Sequence, residues 1–234
     1  EITYGDWSSD VCSSDLVIEI ARLLVKPGEK ILINTPVYYN FYNWIKELQC
    51  VVADAPLKEE NLQYSLDLPE IEKTYQTGVK LHILCNPHNP VGSPYRKSDL
   101  QNLAELAKRY HVTILSDEIH APLVYSENTF IPFLSVSDTA KEVGFSFLSA
   151  TKAFNIAGLK CAQIVAQSEK NVAILNSLPT AVHSRASLFG AVASAVAYKE
   201  CNDWLDGVIR ELDLSRYYLK ELLEQFKLPI GYRV

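Results

Sequence analysis

The sequence predicts an α/β protein in which helices cover both faces of a mainly parallel, mixed sheet. From residue 17 onward, apolar segments of strand length alternate with segments of helical periodicity, which is typical of parallel strands buried on both faces. The apolar segments end at turn-forming residues, such as Asn89-Pro90-Val91-Gly92,. The composition, 48% hydrophobic and 21% charged, is that of a globular domain rather than of a disordered or collagen-like chain,.

The first predicted elements lie between residues 17 and 57. The amphipathic segment 17–24 predicts a helix that stops at Pro27-Gly28,. The continuous apolar run 31–36 predicts a buried strand. Aromatic residues at helical spacing predict a helix over 38–48, and the apolar run 50–57 predicts the next strand,.

Two further helix and strand pairs follow. Apolar residues recur every three to four positions over 66–76 and 97–110, and this spacing predicts helices,. Continuous apolar runs over 81–87 and 112–119 predict strands, the first of which leads into the turn sequence NPHNPVG,.

The last part of the chain is mostly helical in pattern. Short apolar segments predict strands over 144–150 and 160–167,. From residue 168 to about residue 227 the periodicity is helical, with a break near Pro179,.

Charge and hydropathy exclude several classes of protein. The net charge of −6 disfavours a nucleic-acid partner,. No apolar run reaches about 18 residues, and no basic segment precedes an apolar one at the start, so neither a membrane span nor a secretory signal is predicted.

The 5 cysteines are scattered and odd in number, which favours reduced thiols in the cytoplasm,. No group of His, Cys and carboxylates has metal-ligand spacing, so no metal site is predicted.

Polar side chains cluster where three neighbouring predicted strands end. Asn89 follows the strand 81–87, Asp117 lies near the end of 112–119, and Lys152 follows 144–150. Each is about one strand–helix–strand unit from the next. Because ligands of such sheets bind beyond the carboxyl ends of the strands, we expect the three side chains to converge there.

This trio suits one cofactor chemistry in particular. A lysine can form a Schiff base with an aldehyde, and a carboxylate can keep a pyridine nitrogen protonated. An amide can donate a hydrogen bond to a phenolic oxygen, and the hydroxyls of Ser149 and Thr151 beside the lysine can bind phosphate. The sequence therefore predicts a site for pyridoxal 5′-phosphate (PLP).

The segments LCNPHNPVG, SDEIHAPLVY and SATKAFNIAGLK resemble the fold-type I PLP enzymes of the class I/II aminotransferase superfamily. They are most similar to the MalY/PatB branch of cystathionine β-lyase-like C–S lyases. The resemblance covers residue 17 to the end of the chain. It implies the large, aspartate aminotransferase-like PLP-binding domain, with its sheet between helices.

The resemblance also implies roles for individual residues. Lys152 matches the Schiff-base lysine, which would also move the substrate α-proton, and Asp117 matches the partner of the protonated pyridine nitrogen. Asn89 matches the residue that bonds the phenolic oxygen of the cofactor. His120 stands where many relatives have a tyrosine that faces the same oxygen.

Further residues match the parts that hold the ring and the phosphate. Tyr38 matches the aromatic residue that stacks on the ring, with Tyr39 as the competing candidate. Ser149, Thr151 and Lys160 match the phosphate contacts. Many aminotransferases have an arginine in the place of Lys160, and a lysine there supplies a point charge instead of a bidentate fork. His88 could orient Asn89, contact the substrate or have only a structural role in the turn.

The resemblance sets expectations for the chain as a whole. We expect residues 1–16 to lie outside the family, either as a disordered tail or as translated sequencing-adapter DNA joined to a truncated gene. We expect 17–227 to be the large domain with helices that lead to a small domain, and 228–234 to begin that small domain, most of which is missing. The absence of Met agrees with an internal piece of a longer chain, and we expect this piece to be inactive or poorly active.

For the full-length protein, the resemblance implies a homodimeric lyase. It would cleave an L-cysteine S-conjugate to pyruvate, ammonia and a thiol. A PLP-dependent aminotransferase that uses the same residues is the alternative. A PLP-binding regulatory domain of a transcription factor is a further one, which the acidic balance disfavours.

Overall fold

The computed structural model describes residues 11–227, and it has the predicted α/β architecture. The strands, in chain order, are β1 (Lys30–Ile33), β2 (Val51–Asp54), β3 (Lys58–Glu60), β4 (Gln63–Ser65), β5 (Val79–Cys85), β6 (Thr113–Asp117), β7 (Gly144–Leu148) and β8 (Gln163–Val165). Six of them form one sheet in the order β2-β1-β5-β6-β7-β8. All neighbours in this sheet are parallel except β7 and β8, which are antiparallel, so the prediction of a mixed, mainly parallel sheet is confirmed.

Helices connect the strands. They are α1 (Val11–Leu24), α2 (Asn40–Glu47), α3 (Leu68–Tyr75), α4 (Lys97–Arg109), α5 (Asp138–Val143), α6 (Glu169–Asn176), α7 (Thr180–His183), α8 (Leu188–Glu200) and α9 (Asn202–Phe226). A short 3-10 helix spans Phe133–Ser135, and another spans Ala157–Leu159.

The sheet separates two apolar layers, as continuous apolar strands require. Leu32, Leu84 and Ile114 pack on one face, with side chains of α3 and α4. Alternate positions of the same strands, such as Ile31 and Ile83, pack on the other face with α1 and α2. Because successive side chains of a strand point to opposite faces, a strand covered on both faces is apolar at most positions. Its few buried polar side chains, such as His82 and Ser116, are hydrogen-bonded.

Three elements differ from the sequence prediction. Helix α1 begins at Val11 instead of residue 17, because a helix that has formed a buried turn extends at little further cost. The strand predicted over 50–57 ends at Asp54, and an exposed hairpin of β3 and β4 follows it. The long helical region divides at Cys201 into α8 and α9.

The expectation for 228–234 lies outside the described residues, as does most of the expectation for 1–16. Within residues 11–227, no helix combines the length and apolar character that crossing a membrane requires. The same part of the chain contains no group of three metal-ligating side chains arranged around a common point.

Candidate functional site

The carboxyl ends of four parallel strands meet at one edge of the sheet. The segments that follow β1, β5, β6 and β7 surround a cavity of about 60 Å³. Its described lining consists of Tyr38, Cys85, Asn89, Asp117, Ile119, His120 and Lys152. Five of the residues predicted from the sequence are therefore brought together.

Asp117 is the last residue of β6 and pairs in register with Cys85 on β5 and Phe147 on β7. This central place in the sheet buries the side chain to 5% exposure. Its Oδ1 accepts a hydrogen bond from the backbone N–H of Ile119 at 3.4 Å. The carboxylate is thus fixed by the end of the strand rather than by a flexible loop.

Lys152 lies in a tight turn after β7. The backbone N–H of Asn155 donates to its carbonyl at 3.3 Å, and that of Phe154 donates to the carbonyl of Ala150 at 3.0 Å. Ala153 and Phe154 are buried in a small apolar cluster with Ala197 of α8. Packing on one side of the turn leaves Lys152, half-buried, to line the cavity on the other.

Asn89 occupies a closed loop after β5. Its backbone N–H donates to Sγ of Cys85 at 3.3 Å. The loop is closed by a bond from the His88 N–H to the Ser93 carbonyl at 3.0 Å and from the Gly92 N–H to the His88 carbonyl at 2.7 Å. Gly92 has φ of +67°, a conformation that glycine adopts without a steric penalty.

Tyr38, not Tyr39, lines the cavity. Its hydroxyl accepts a hydrogen bond from the side-chain amide of Asn40 at 2.6 Å, and its ring makes edge contacts with Phe41 and Trp44. Tyr39 is 51% exposed. The side chain predicted to stack on the cofactor ring is therefore held by the buried start of α2.

The three predicted phosphate contacts are not in the described lining of this cavity. Ser149 Oγ donates to the Cys161 carbonyl at 2.6 Å and lies 2.8 Å from Oγ1 of Thr151. Since Ser149 has one hydroxyl proton, the Thr151 hydroxyl must be the donor between the two. Lys160 is exposed, and its backbone is left-handed with φ of 50°. The phosphate roles of all three residues stay predictions.

Two buried groups at the strand ends, Cys85 and Glu118, were assigned no role in the site from the sequence. Burial raises the pKa of Cys85, and the charge of Asp117 raises it further. Glu118 Oε1 accepts bonds from Ser116 Oγ at 2.9 Å, Ser146 Oγ at 3.0 Å and the Phe133 N–H at 2.8 Å. Burial nevertheless raises the pKa of this carboxyl to about 7. For Cys85 the available signal was its position at the end of an apolar strand, two residues before the turn.

A second cavity, of about 300 Å³, adjoins the first and shares Asn89 and His120 with it. Its other walls come from the loop around Leu123 and Tyr125 and from Ile209 and Leu212 of α9. Asn89 and His120 therefore form a wall that is common to the two cavities.

Comparison with known proteins gives a consistent result. A family model described as aminotransferase class I and II matches residues 11–232. Cystathionine beta-lyase of Corynebacterium glutamicum is 33% identical over 207 residues, which are 88% of this chain and 54% of that protein. Cystathionine beta-lyase PatB of Bacillus subtilis strain 168 is 33% identical over 194 residues, 82% of this chain and 50% of that protein.

The crystal structure of cystalysin from Treponema denticola, which contains pyridoxal 5′-phosphate, superposes with a TM-score of 0.83 at 29% identity. The superposition covers 90% of this chain and 54% of cystalysin. The chain spans about half the length of the curated relatives that it matches.

Proposed function

This chain belongs to the aminotransferase class I and II family, and from that premise we propose that the whole protein is a PLP-dependent C–S β-lyase. It would cleave L-cysteine S-conjugates to pyruvate, ammonia and a thiol. The observation that carries the proposal is that Lys152, Asp117, Asn89 and His120 line one cavity. The names of the C–S lyase relatives support the reaction type.

The donor chemistry of the cavity fits the cofactor. The cavity offers an amine for the aldehyde of the cofactor and a buried carboxylate for its ring nitrogen. It also offers an amide and an imidazole for the phenolic oxygen. When bound, the cofactor supplies an electron-poor ring that stabilises negative charge at the substrate α-carbon.

Lys152 and Asp117 would carry the reactive steps. Lys152 would hold the cofactor covalently and, once the substrate amine has displaced it, would remove the α-proton. Asp117 would keep the ring nitrogen protonated, because a carboxylate close to that nitrogen favours the charged form of both groups. Its burial strengthens this charge interaction by excluding water.

Asn89, His120 and Tyr38 would orient the ring. The Asn89 amide and the His120 imidazole would hold its phenolic oxygen, and Tyr38 would lie against its face. To donate to the phosphate, the hydroxyls of Ser149 and Thr151 would turn away from their present partners, the Cys161 carbonyl and Ser149 Oγ respectively. Lys160 would add positive charge.

The overall reaction is an elimination without net oxidation. The Cα–H bond breaks as Lys152 takes the proton, and the Cβ–S bond breaks with its electron pair leaving on sulfur. The thiolate takes up a proton, and hydrolysis of the released enamine gives pyruvate and ammonia. Transamination by the same residues would instead pass the substrate amino group to an acceptor keto acid, convert the substrate to its own keto acid and leave the Cβ–S bond intact.

We also propose that the whole protein is a cytoplasmic homodimer. Large apolar side chains of α8, including Leu188, Phe189 and Val192, are exposed, and such surfaces favour association. The thiols of Cys50, Cys85, Cys161 and Cys201 are free, which fits a reducing compartment. Sedimentation of the whole protein at several concentrations tests the dimer, and a concentration-independent monomer contradicts it.

Cofactor trapping tests the site directly. The chain is incubated with PLP, reduced with borohydride and digested, and the labelled lysine is found by mass spectrometry. We expect the label at Lys152. The rate of labelling should be about tenfold lower in Asp117→Ala. In Lys160→Ala the label should remain at Lys152. Labelling spread over exposed lysines would contradict the proposed cofactor site.

The products distinguish the two reactions. With an S-substituted cysteine and no keto-acid acceptor, the whole protein should release thiol and pyruvate in equal amounts. Amino-group transfer that requires an added keto acid, without thiol release, would identify an aminotransferase instead.

A further inference from the structure

Two segments that line the cavity are joined by one buried imidazole. Nε2 of His88 lies 2.8 Å from the carbonyl oxygen of Pro36. Pro36 precedes Tyr38 by two residues, and His88 directly precedes Asn89. His88 is 1% exposed, so water does not compete for this bond.

The partners of the ring fix its tautomer. A carbonyl only accepts, so Nε2 carries the proton and donates it to Pro36. Burial lowers the pKa of His88, which keeps the ring neutral and leaves Nδ1 as an acceptor. The hydroxyl of Tyr95, 2.6 Å away, must then donate to Nδ1. The bonds run in one direction, from Tyr95 through His88 to Pro36.

Tyr95, at the start of this series of hydrogen bonds, is held in place by packing. Its side chain is buried in the apolar layer that contains Leu100 and Leu103 of α4. The Tyr95 ring also meets the imidazole edge-on, with centroids 6.0 Å apart. The position of α4 is thereby transmitted to both loops.

We propose that His88 is a positioning residue that holds the Tyr38 and Asn89 segments at a fixed separation for the ring between them. The assignment of a ring there rests on the proposed function. His88 itself takes no part in proton transfer, because both of its nitrogens are occupied by protein groups.

A second pair, formed by Tyr75 and by His82 of β5, provides a matched control. Nδ1 of His82 lies 2.8 Å from the Tyr75 hydroxyl, and its Nε2 lies 2.7 Å from Oδ1 of Asn34. This second Tyr–His pair is buried as well, but it lies three residues before Cys85 and is not part of the described cavity lining. Tyr75→Phe and Tyr95→Phe therefore remove the same hydroxyl from the same kind of pair.

The experiment compares backbone hydrogen exchange in the cofactor-free chain for Tyr95→Phe, Tyr75→Phe, His88→Phe and His88→Gln. The reporting amides are those of Phe41, Asn89 and Gly92, which donate to Tyr38, Cys85 and His88 respectively. Thermal unfolding is measured in parallel, and PLP trapping at Lys152 is the second readout.

We expect Tyr95→Phe and Tyr75→Phe to lower the unfolding midpoint by similar amounts. Only Tyr95→Phe should speed exchange at the reporting amides, by about tenfold. His88→Phe should speed it further and slow trapping. His88→Gln should restore most of both values, because its amide can donate to Pro36.

Equal effects of the two tyrosine variants on exchange would overturn the proposal and make His88 a general stabilising residue. Unchanged exchange in His88→Phe would overturn it as well. If the wild-type chain is not labelled at Lys152, the cofactor proposal fails, while the exchange data still decide whether His88 couples the two segments.

Discussion

Cys85 and Asp117 are register partners at the ends of β5 and β6, and both side chains line the same cavity. The Cys85 sulfur also accepts the backbone N–H of Asn89. The thiol therefore contacts the Asn89 loop and lines the cavity together with the carboxylate of Asp117. Burial and the nearby carboxylate both raise its pKa, so it stays protonated and does not act as a nucleophile.

Alkylation rates test this environment. At pH 8, iodoacetamide should alkylate Cys85 of the native chain on the order of 100-fold more slowly than it alkylates Cys201, which is partly exposed,. Because burial is the larger cause of the shift, Asp117→Asn should speed the reaction of Cys85 only slightly. Peptide mass spectrometry measures both rates, and equal rates for Cys85 and Cys201 would show that the thiol is accessible.

The buried carboxyl of Glu118 should make stability depend on pH near neutrality. Its folded pKa of about 7 lies above the ordinary value of 4.5, so the folded state favours the protonated form. The stability linked to this group is fully present below pH 4.5 and is lost as pH rises through 7. The loss amounts to roughly 3 kcal/mol.

Urea unfolding of Glu118→Gln at pH 5 to 8 measures this contribution. The variant should gain stability relative to the wild type as pH rises, because its amide does not ionise. Asp138→Asn, a change of an exposed carboxylate, should leave the pH slope near that of the wild type. A wild-type slope that persists in Glu118→Gln would exclude Glu118 as its source.

The strand-end residues of the site were predictable because their positions follow from the sheet. Continuous apolar runs fix where β5, β6 and β7 end, and parallel strands place Asn89, Asp117 and Lys152 at the same edge. Nothing in local sequence shows that His88 would find Pro36, or that Glu118 would find Ser146. Such pairs form only when segments that are distant in the sequence pack together, so periodicity cannot reveal them.

Two elements show where pattern reasoning fails. The hairpin of β3 and β4 is exposed and carries no apolar alternation, and its turn places Asn61 and Leu62 at positive φ, which is uncommon for leucine. Helix α9 has the predicted periodicity, yet none of its described side chains is buried. Periodicity predicts that a face is apolar, but it does not specify the partner that covers the face.

His82 should contribute an opposite pH dependence. Burial lowers its pKa from 6.5 to about 3, so the folded state favours the neutral ring. The stability linked to His82 is present above pH 6.5 and is lost as pH falls through 3. Between pH 7 and pH 5 the loss is roughly 2 kcal/mol.

The difference in unfolding free energy between the wild type and His82→Gln isolates the effect of His82, because Glu118 titrates in both proteins. The variant should lose less stability than the wild type on going from pH 7 to pH 5, and urea unfolding measures it. Exposed His111 provides the control, and His111→Asn should keep the wild-type acid dependence. Identical pH profiles for His82→Gln and the wild type would mean that His82 is protonated without penalty in the folded chain.

Arg216 of α9 holds the loop around Tyr125 against this helix. The same loop forms one wall of the second cavity. Its guanidinium lies 4.0 Å above the ring of Tyr125 and pairs with Glu127 of the same loop and with Asp213 of α9. A planar guanidinium can stack and form both pairs at once, whereas an ammonium is a point charge. Arg216→Lys should therefore loosen the loop almost as much as Arg216→Ala, although it keeps the charge.

Hydrogen exchange at Asn128, whose N–H donates to the Tyr125 carbonyl at 2.9 Å, reports on this loop. We expect exchange there to be several-fold faster in both variants, with only a small change in global stability, since exposed ion pairs contribute little. Arg210→Ala, in the preceding turns of α9, is the matched control and should leave Asn128 unchanged. If Arg216→Lys retains wild-type exchange, charge alone holds the loop and stacking on Tyr125 is dispensable.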